Sequence, residues 1–132
     1  MEKQVSINLP VKDVNRSMTF YHALGFTLNP DFSDEQGKCM KWGENIFLML
    51  LSPAKFASFS NKPIADTRNF IAGLYSLPME SIEHMNETIS SGLQAGGSEP
   101  SEMKDYGFMQ QRPLEDYDGH TWELFFMDTS KM

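Results

Sequence analysis

The order strand, helix, strand, strand, strand occurs twice along this chain, offset by about 66 residues. No single motif constrains the fold as tightly. In the first copy, residues 4–11 alternate. Val5, Ile7, Leu9 and Val11 lie on one side, and Ser6, Asn8 and Pro10 on the other. That spacing predicts a strand with one apolar and one mixed face. Asp13 is placed to cap a helix reaching Leu24, with Val14, Met18, Tyr21 and Leu24 as its buried stripe and Phe20 beside it. Gly25 ends it. Shorter strands are expected at 26–32, 37–43 and 45–51, separated by turns at 34–37 and 43–45. The run 46–51 is apolar throughout, so both of its faces should be covered.

The second copy predicts a strand at 69–77 and a helix from 79 to 95 with Ile82, Met85, Ile89 and Leu93 buried. Strands at 98–103, 107–112 and 121–127 complete it. The fold class is therefore α+β: two βαβββ modules, 4–51 and 69–127, within one domain spanning 1–132. The connector 52–67 holds Pro53, Pro63, Phe56 and Phe59, with room for a short helix at 53–59. Connectors of this length often act as lids or partner-binding loops. Two such modules can bring their sheets together around a cleft, where small ligands bind.

Composition narrows the partners. An apolar fraction of 40% is enough for an ordinary core. A net charge of −7 argues against nucleic acid or an anionic membrane surface, which need basic patches. No apolar run approaches the roughly 18 residues of a membrane span, and the N-terminus lacks a signal peptide's apolar centre. The single cysteine, Cys39, cannot form an internal disulfide, and the expected compartment is the cytoplasm. Cys39 reads as a small core or sheet residue, because no nearby His supports a nucleophile.

One carboxylate stands out. The turn Asp118-Gly119 leads into a strand that carries Glu123 among large apolar residues. Burying a lone acid against the core is costly, so Glu123 is expected to face a cavity.

These segments resemble a known superfamily. Residues 9–26, with Val11-Lys12-Asp13-Val14, Ser17, Phe20-Tyr21 and Leu24-Gly25-Phe26, resemble the opening of vicinal oxygen chelate proteins. That superfamily includes glyoxalase I, the fosfomycin and bleomycin resistance proteins and the extradiol dioxygenases. Asp118-Gly119-His120-Thr121-Trp122-Glu123-Leu124 resembles its closing motif. Within it, segments such as Pro63-Ile64-Ala65-Asp66 and Asp105-Tyr106-Gly107-Phe108-Met109 are similar to a bacterial subgroup labelled predicted lactoylglutathione lyase. The resemblance implies a cup-shaped mixed sheet with helices outside, a homodimer, and a divalent metal within the cup.

The metal positions carry over poorly. The resemblance places first-strand ligands at Ser6 and near Ala72, a fourth-strand ligand within the apolar run after Asn45, and a last-strand ligand at Glu123. A Ser hydroxyl is a weak ligand and Ala72 offers none, so Glu123 is the one retained position. The histidines do not restore the set. His22 and His84 fall on the helices, and His120 lies three residues from Glu123, on the opposite side of a strand. All three are expected to be surface or half-buried residues.

No cofactor is therefore assigned, and a divalent metal rests on analogy with the superfamily. The function expected is binding of a small amphipathic molecule, with Ser6, Asn8, Phe108, Gln110, Arg112 and Phe125 as ligand-binding candidates and Trp42 and Met109 as further walls. Strand alternation lets only one of Gln110 and Gln111 point inward. The alternative is a glyoxalase-like or resistance enzyme in which Glu123 is a general base, in a cavity that disfavours its charge, or the sole metal ligand. Glyoxalase I activity itself is disfavoured, because it requires a metal to stabilise an enediolate. A third reading is an interaction module acting through the 52–67 connector or a dimer partner.

Overall fold

The structure, a computed structural model, describes residues 1–132. The chain divides into two compact units, Met1–Asp66 and Thr67–Met132. No helix is long and apolar enough to cross a membrane.

The first unit contains β1 (Val5–Pro10), α1 (Val14–Ala23), β2 (Thr27–Asn29), β3 (Gly37–Trp42), β4 (Ile46–Leu51) and α2 (Pro53–Ala57). Its sheet has the order β1-β4-β3-β2, with β1 parallel to β4 and the other pairs antiparallel. A parallel pair needs a long crossover, and α1 with β2 and β3 supplies it. The Asp13 carboxylate accepts a hydrogen bond from the Arg16 N–H at 3.0 Å and starts α1. The Gly25 N–H donates to the His22 carbonyl at 3.0 Å and closes it. Val14, Ser17, Phe20 and Tyr21 form its buried side. They cover a sheet face on which Leu9, Met40, Leu48 and Leu50 are buried. Phe20, Tyr21 and Phe26 pack edge to face, with centroids 5.0 and 5.6 Å apart.

Three expectations change here. Met18 is only half-buried, and the stripe runs through Ser17 instead. The second strand stops at Asn29, because Pro30 has no N–H for the ladder, and a 3-10 turn over Pro30–Phe32 follows. On β4, Leu48 and Leu50 are fully buried, but Phe47 and Met49 on the opposite face are only half-covered.

The second unit repeats the arrangement. It contains β5 (Leu74–Pro78), α3 (Ile82–Gln94), β6 (Lys104–Asp105), β7 (Met109–Glu115) and β8 (Thr121–Met127), in the order β5-β8-β7-β6 with β5 parallel to β8. The last strand matches its expected bounds. Others move. β5 begins at Leu74, not at residue 69, because Thr67 and Arg68 are tied to the β7–β8 turn instead of to a strand. α3 begins after Ser81, whose hydroxyl accepts from the His84 N–H at 2.9 Å. Its buried stripe is Met85, Thr88, Ile89 and Gly92, so Ile82 and Leu93 are exposed rather than buried. The strand expected at 98–103 shrinks to one bridge, Ser98 with Glu115. Pro100 cannot donate to a ladder there.

Each unit thus has a two-sided sheet. One face is covered by that unit's long helix, and the other, the open face, is not. Strand alternation assigns every side chain to one or the other.

Candidate functional site

The open face of the second unit holds Glu123. Its residues follow from register: Leu74, Ser76 and Pro78 on β5, Thr121, Glu123, Phe125 and Met127 on β8, and Met109, Gln111, Pro113 and Glu115 on β7. Ser76 and Pro113 flank Glu123 directly on the two neighbouring strands. The Gln111 side-chain amide donates to Glu123 Oε2. That bond aims the carboxylate and leaves its other oxygen without a protein donor.

A cleft of about 280 Å³ opens over this face, lined on its apolar side by Phe70, Ile71, Leu74, Pro100 and Pro113. Its polar lining includes Glu115, Thr121 and Glu123. A small side recess beside Glu123 is lined by Ser101, Lys104 and Gln111.

One wall of the cleft is a strap, residues 67–71. The Thr67 hydroxyl donates to the Asp118 carbonyl at 2.7 Å, and the Arg68 guanidinium donates to the Tyr117 carbonyl. The turn that receives them is organised by Asp116, a buried acid. One of its carboxylate oxygens accepts from the Asp118 and His120 N–H groups, each at 2.9 Å. Gly119 takes φ +84°, and a Cβ there would run into the Thr67 backbone. The Asp118-Gly119 pair therefore both makes the turn and lets the strap approach. Neither Asp116 nor the strap was a site expectation. The signal for Asp116 was its spacing from Asp118 and His120, which suits an Asx-type turn.

Several expected ligand-binding residues lie elsewhere. Arg112 is on the helix-covered face, where it donates to Asn86 of α3 and to Glu99, each at 2.8 Å. Gln110 is on that same face and donates to the Asp105 carboxylate at 2.9 Å. That bond, with a second from the Gly107 N–H, holds the Asp105 carboxyl below the usual aspartate range. Gln111 is the inward glutamine because Pro113 pairs directly with Glu123, which fixes odd-numbered β7 residues to the open face. Phe108 precedes β7, half-buried, and its carbonyl accepts from the Asp128 N–H at 2.7 Å. Phe125 does share the open face with Glu123, as does Met109. Trp42 does not reach an open face but packs against Phe26, with ring centroids 6.4 Å apart.

Ser6 and Asn8 belong to the first unit, on its own open face. A cleft of about 400 Å³ there is lined by Gln4, Ser6, Asn29, Phe32, Cys39, Phe47 and Met49. Burial pushes the Cys39 thiol above its ordinary pKa, and the Lys41 ammonium partly opposes this. The duplication also relocates one comparison. Ser6 lies seven residues before the helix cap Asp13, and Leu74 lies seven before Ser81. Leu74, not Ala72, is the counterpart of Ser6, because the second unit's first strand begins later than its sequence suggests. Leu74 is no more able to bind a metal.

Of the histidines, His22 is exposed on α1 and His84 is half-buried on α3, with its Nδ1 accepting from the Glu80 N–H. His120 is buried, at 5% exposure, against the expectation of a surface or half-buried residue. The turn hydrogen bond to Asp116 draws it inward.

A resident divalent metal does not fit these residues. No three His, Cys, Asp or Glu side chains converge in a metal-binding group. Around Glu123 the adjacent groups are a serine, a proline, a threonine and an amide, which are weak or non-ligating, and the diagonal Glu115 adds only a second carboxylate.

Residues 3–41 match the family model for the N-terminal part of bleomycin resistance-like proteins. The structure superposes on a hypothetical protein from S. aureus with a TM-score of 0.79 and 24% identity, over 96% of this chain and 95% of that one. It also superposes on a glyoxalase/bleomycin resistance protein/dioxygenase family enzyme from Burkholderia phytofirmans (TM-score 0.78, 14% identity, 96% and 99% coverage). A glyoxalase-related enzyme from Fulvimarina pelagi gives a TM-score of 0.80 at 15% identity, covering 96% and 88%. The chain has the glyoxalase/bleomycin resistance/dioxygenase fold. No functionally curated protein matches it in sequence. Within that fold the side chains around Glu123, and not the backbone, carry whatever this chain does.

Proposed function

We propose that this chain is a small-molecule-binding member of the glyoxalase/bleomycin resistance/dioxygenase superfamily that works without a resident metal. The observation that carries this reading is the cleft over β8, where Gln111 aims Glu123 toward a space walled by Phe70, Ile71 and Leu74. A mostly apolar cleft with a few placed polar groups suits a small amphipathic ligand. The matched segment 3–41 and the structural neighbours support the superfamily.

A thermal-shift screen with metabolites and planar antibiotics tests the reading, combined with elemental analysis of protein purified without chelators. The expected result is a ligand whose stabilisation is lost in Glu123→Gln and a preparation without stoichiometric metal. A stoichiometric divalent metal whose affinity depends on Glu123 would overturn it.

A second reading is favoured by the free oxygen of Glu123. With Oε2 held by Gln111, Oε1 is available to take a proton, as a general base without metal. Lactoylglutathione formation from methylglyoxal and glutathione is expected to stay at background. A rate above background that falls in Glu123→Gln would restore the lactoylglutathione lyase assignment. A homodimer, proposed from the resemblance to this superfamily, is checked by light scattering.

A further inference from the structure

The two units carry very different charge. Residues 1–66 contain seven acidic and seven basic side chains, whereas residues 67–132 contain eleven acidic and four basic ones. The whole net charge of −7 therefore resides in the unit that holds Glu123. Two of its carboxylates, Glu115 and Glu123, line the same cleft. Register explains why. Glu115 pairs with Thr121, so Glu123 is its diagonal neighbour on the same face.

Neither carboxylate is neutralised by the protein. The Glu115 side chain has no hydrogen-bond or ion-pair partner, and Glu123 accepts only from the neutral Gln111 amide. Arg112 is held by Asn86 and Glu99 on the opposite face. Arg68 does line the cleft, in the strap, but its guanidinium donates to the Tyr117 carbonyl and makes no ion pair with Glu115 or Glu123. Lys104 lies in the side recess but makes no ion pair with Glu123.

The first unit shows that the fold does not require this. By the same register, Lys41 stands where Glu115 stands and Met49 where Glu123 stands. Two carboxylates sharing one face favour a cationic neighbour over an anionic one. A metal ion is a poor occupant, because no third His, Cys, Asp or Glu completes a coordination set.

We infer that this cleft takes a small organic cation, an ammonium or guanidinium group on an apolar body, with Glu115 and Glu123 as its counter-charges and Phe70, Ile71 and Leu74 against the apolar part. This inference rests on the proposed reading of the Glu123 cleft as a ligand site.

The test uses three probes of matched shape: phenethylammonium, phenethyl alcohol and 3-phenylpropionate. Each is titrated into the ¹⁵N-labelled full chain while the backbone amides of Ser101, Thr121 and Glu123 are followed by NMR. The ammonium is expected to bind most tightly and the carboxylate most weakly. Added salt should weaken the ammonium alone. Glu115→Gln and Glu123→Gln should each reduce its affinity by about two- to fivefold, the range for a solvent-accessible charge pair. Glu83→Gln, on α3, should leave it unchanged. Glu115→Gln removes no hydrogen bond of the fold, so it remains informative if Glu123→Gln is unstable. Equal binding of all three probes at these amides overturns the charge assignment while leaving the cleft a ligand site. If no probe of any charge moves these amides, both readings fall.

Discussion

The two open faces share a backbone plan and differ in almost every side chain that matters. Each belongs to a four-stranded sheet with the same strand order, the same parallel first pair and the same capped helix behind it. On the first, Ser6, Cys39, Phe47 and Met49 line a cleft without acidic side chains, and the one charge placed on that face by register is Lys41, paired with Glu44. On the second, Glu115, Thr121 and Glu123 make an acidic surface. The helix-covered faces show the opposite pattern. Leu48 and Leu50 on β4 match Trp122 and Leu124 on β8, all buried. Close packing keeps the covered face apolar in both copies, whereas the open face can change chemistry without disturbing the core.

The strongest challenge to this equivalence is a pair of core deletions. Leu50→Ala and Leu124→Ala remove side chains with 0% exposure from matching register positions. Each is expected to cost about 2–5 kcal/mol in urea unfolding. If one cost far more than the other, the covered faces would not be energetic equivalents.

The strap has no counterpart in that comparison, and glycine substitutions isolate it. Gly119→Ala forces a Cβ at φ +84° into the Thr67 backbone, so a loss of about 2–3 kcal/mol is expected. Faster hydrogen exchange at residues 67–71 should accompany it. Gly25→Ala, at φ +104° with open space around it, carries only the conformational penalty of about 1 kcal/mol. Equal losses would mean that the strap does not depend on Gly119.

Exchanging the register counterparts tests the open faces directly. Glu123→Met is expected to change stability by less than about 1 kcal/mol, since the site is only half-buried and exchanges one Gln111 hydrogen bond for apolar contact. Met49→Glu places an unpartnered carboxylate beside Phe47 and Cys39 and should cost about 1–3 kcal/mol. Urea midpoints of the two variants give the comparison. A more damaging Glu123→Met would make Glu123 a structural residue.

The smallest effect lies on the helix-covered face. The Asp105 carboxyl is held low chiefly by the Gln110 amide and then by the Gly107 N–H. A carboxyl lowered by folding adds stability that is present above its unfolded pKa and fades as pH falls through its folded one. In Gln110→Ala, a ¹³C-detected titration should show the Asp105 pKa rising toward its ordinary value. An unchanged titration would show that Gln110 does not bind Asp105 in solution.

Particular residues show how far the sequence carried. Alternation through Val5, Ile7 and Leu9, the cap at Asp13, the end at Gly25 and the doubled element order are local signals, and they specified both modules and the fold class. The last strand, with Glu123 facing away from Trp122 and Leu124, was equally legible, because a single acid on an apolar strand has one inexpensive orientation. The choice between Gln110 and Gln111 was not local. It depends on how β7 registers against β8, and a shift of one residue would reverse it. Arg112 followed the same register to the far face and found Asn86 and Glu99 there. The late start of β5, which makes Leu74 rather than Ala72 the repeat counterpart of Ser6, arises because Thr67 and Arg68 bond to a turn about fifty residues downstream. Periodicity and capping are written in neighbouring residues, so the sequence alone determined the two long helices, the first and last strands and the repeat, but not the late start of β5 or the loss of a strand at 98–103. Register, the strap and the placement of Glu115 diagonal to Glu123 depend on contacts between distant segments, and only the tertiary structure decided them.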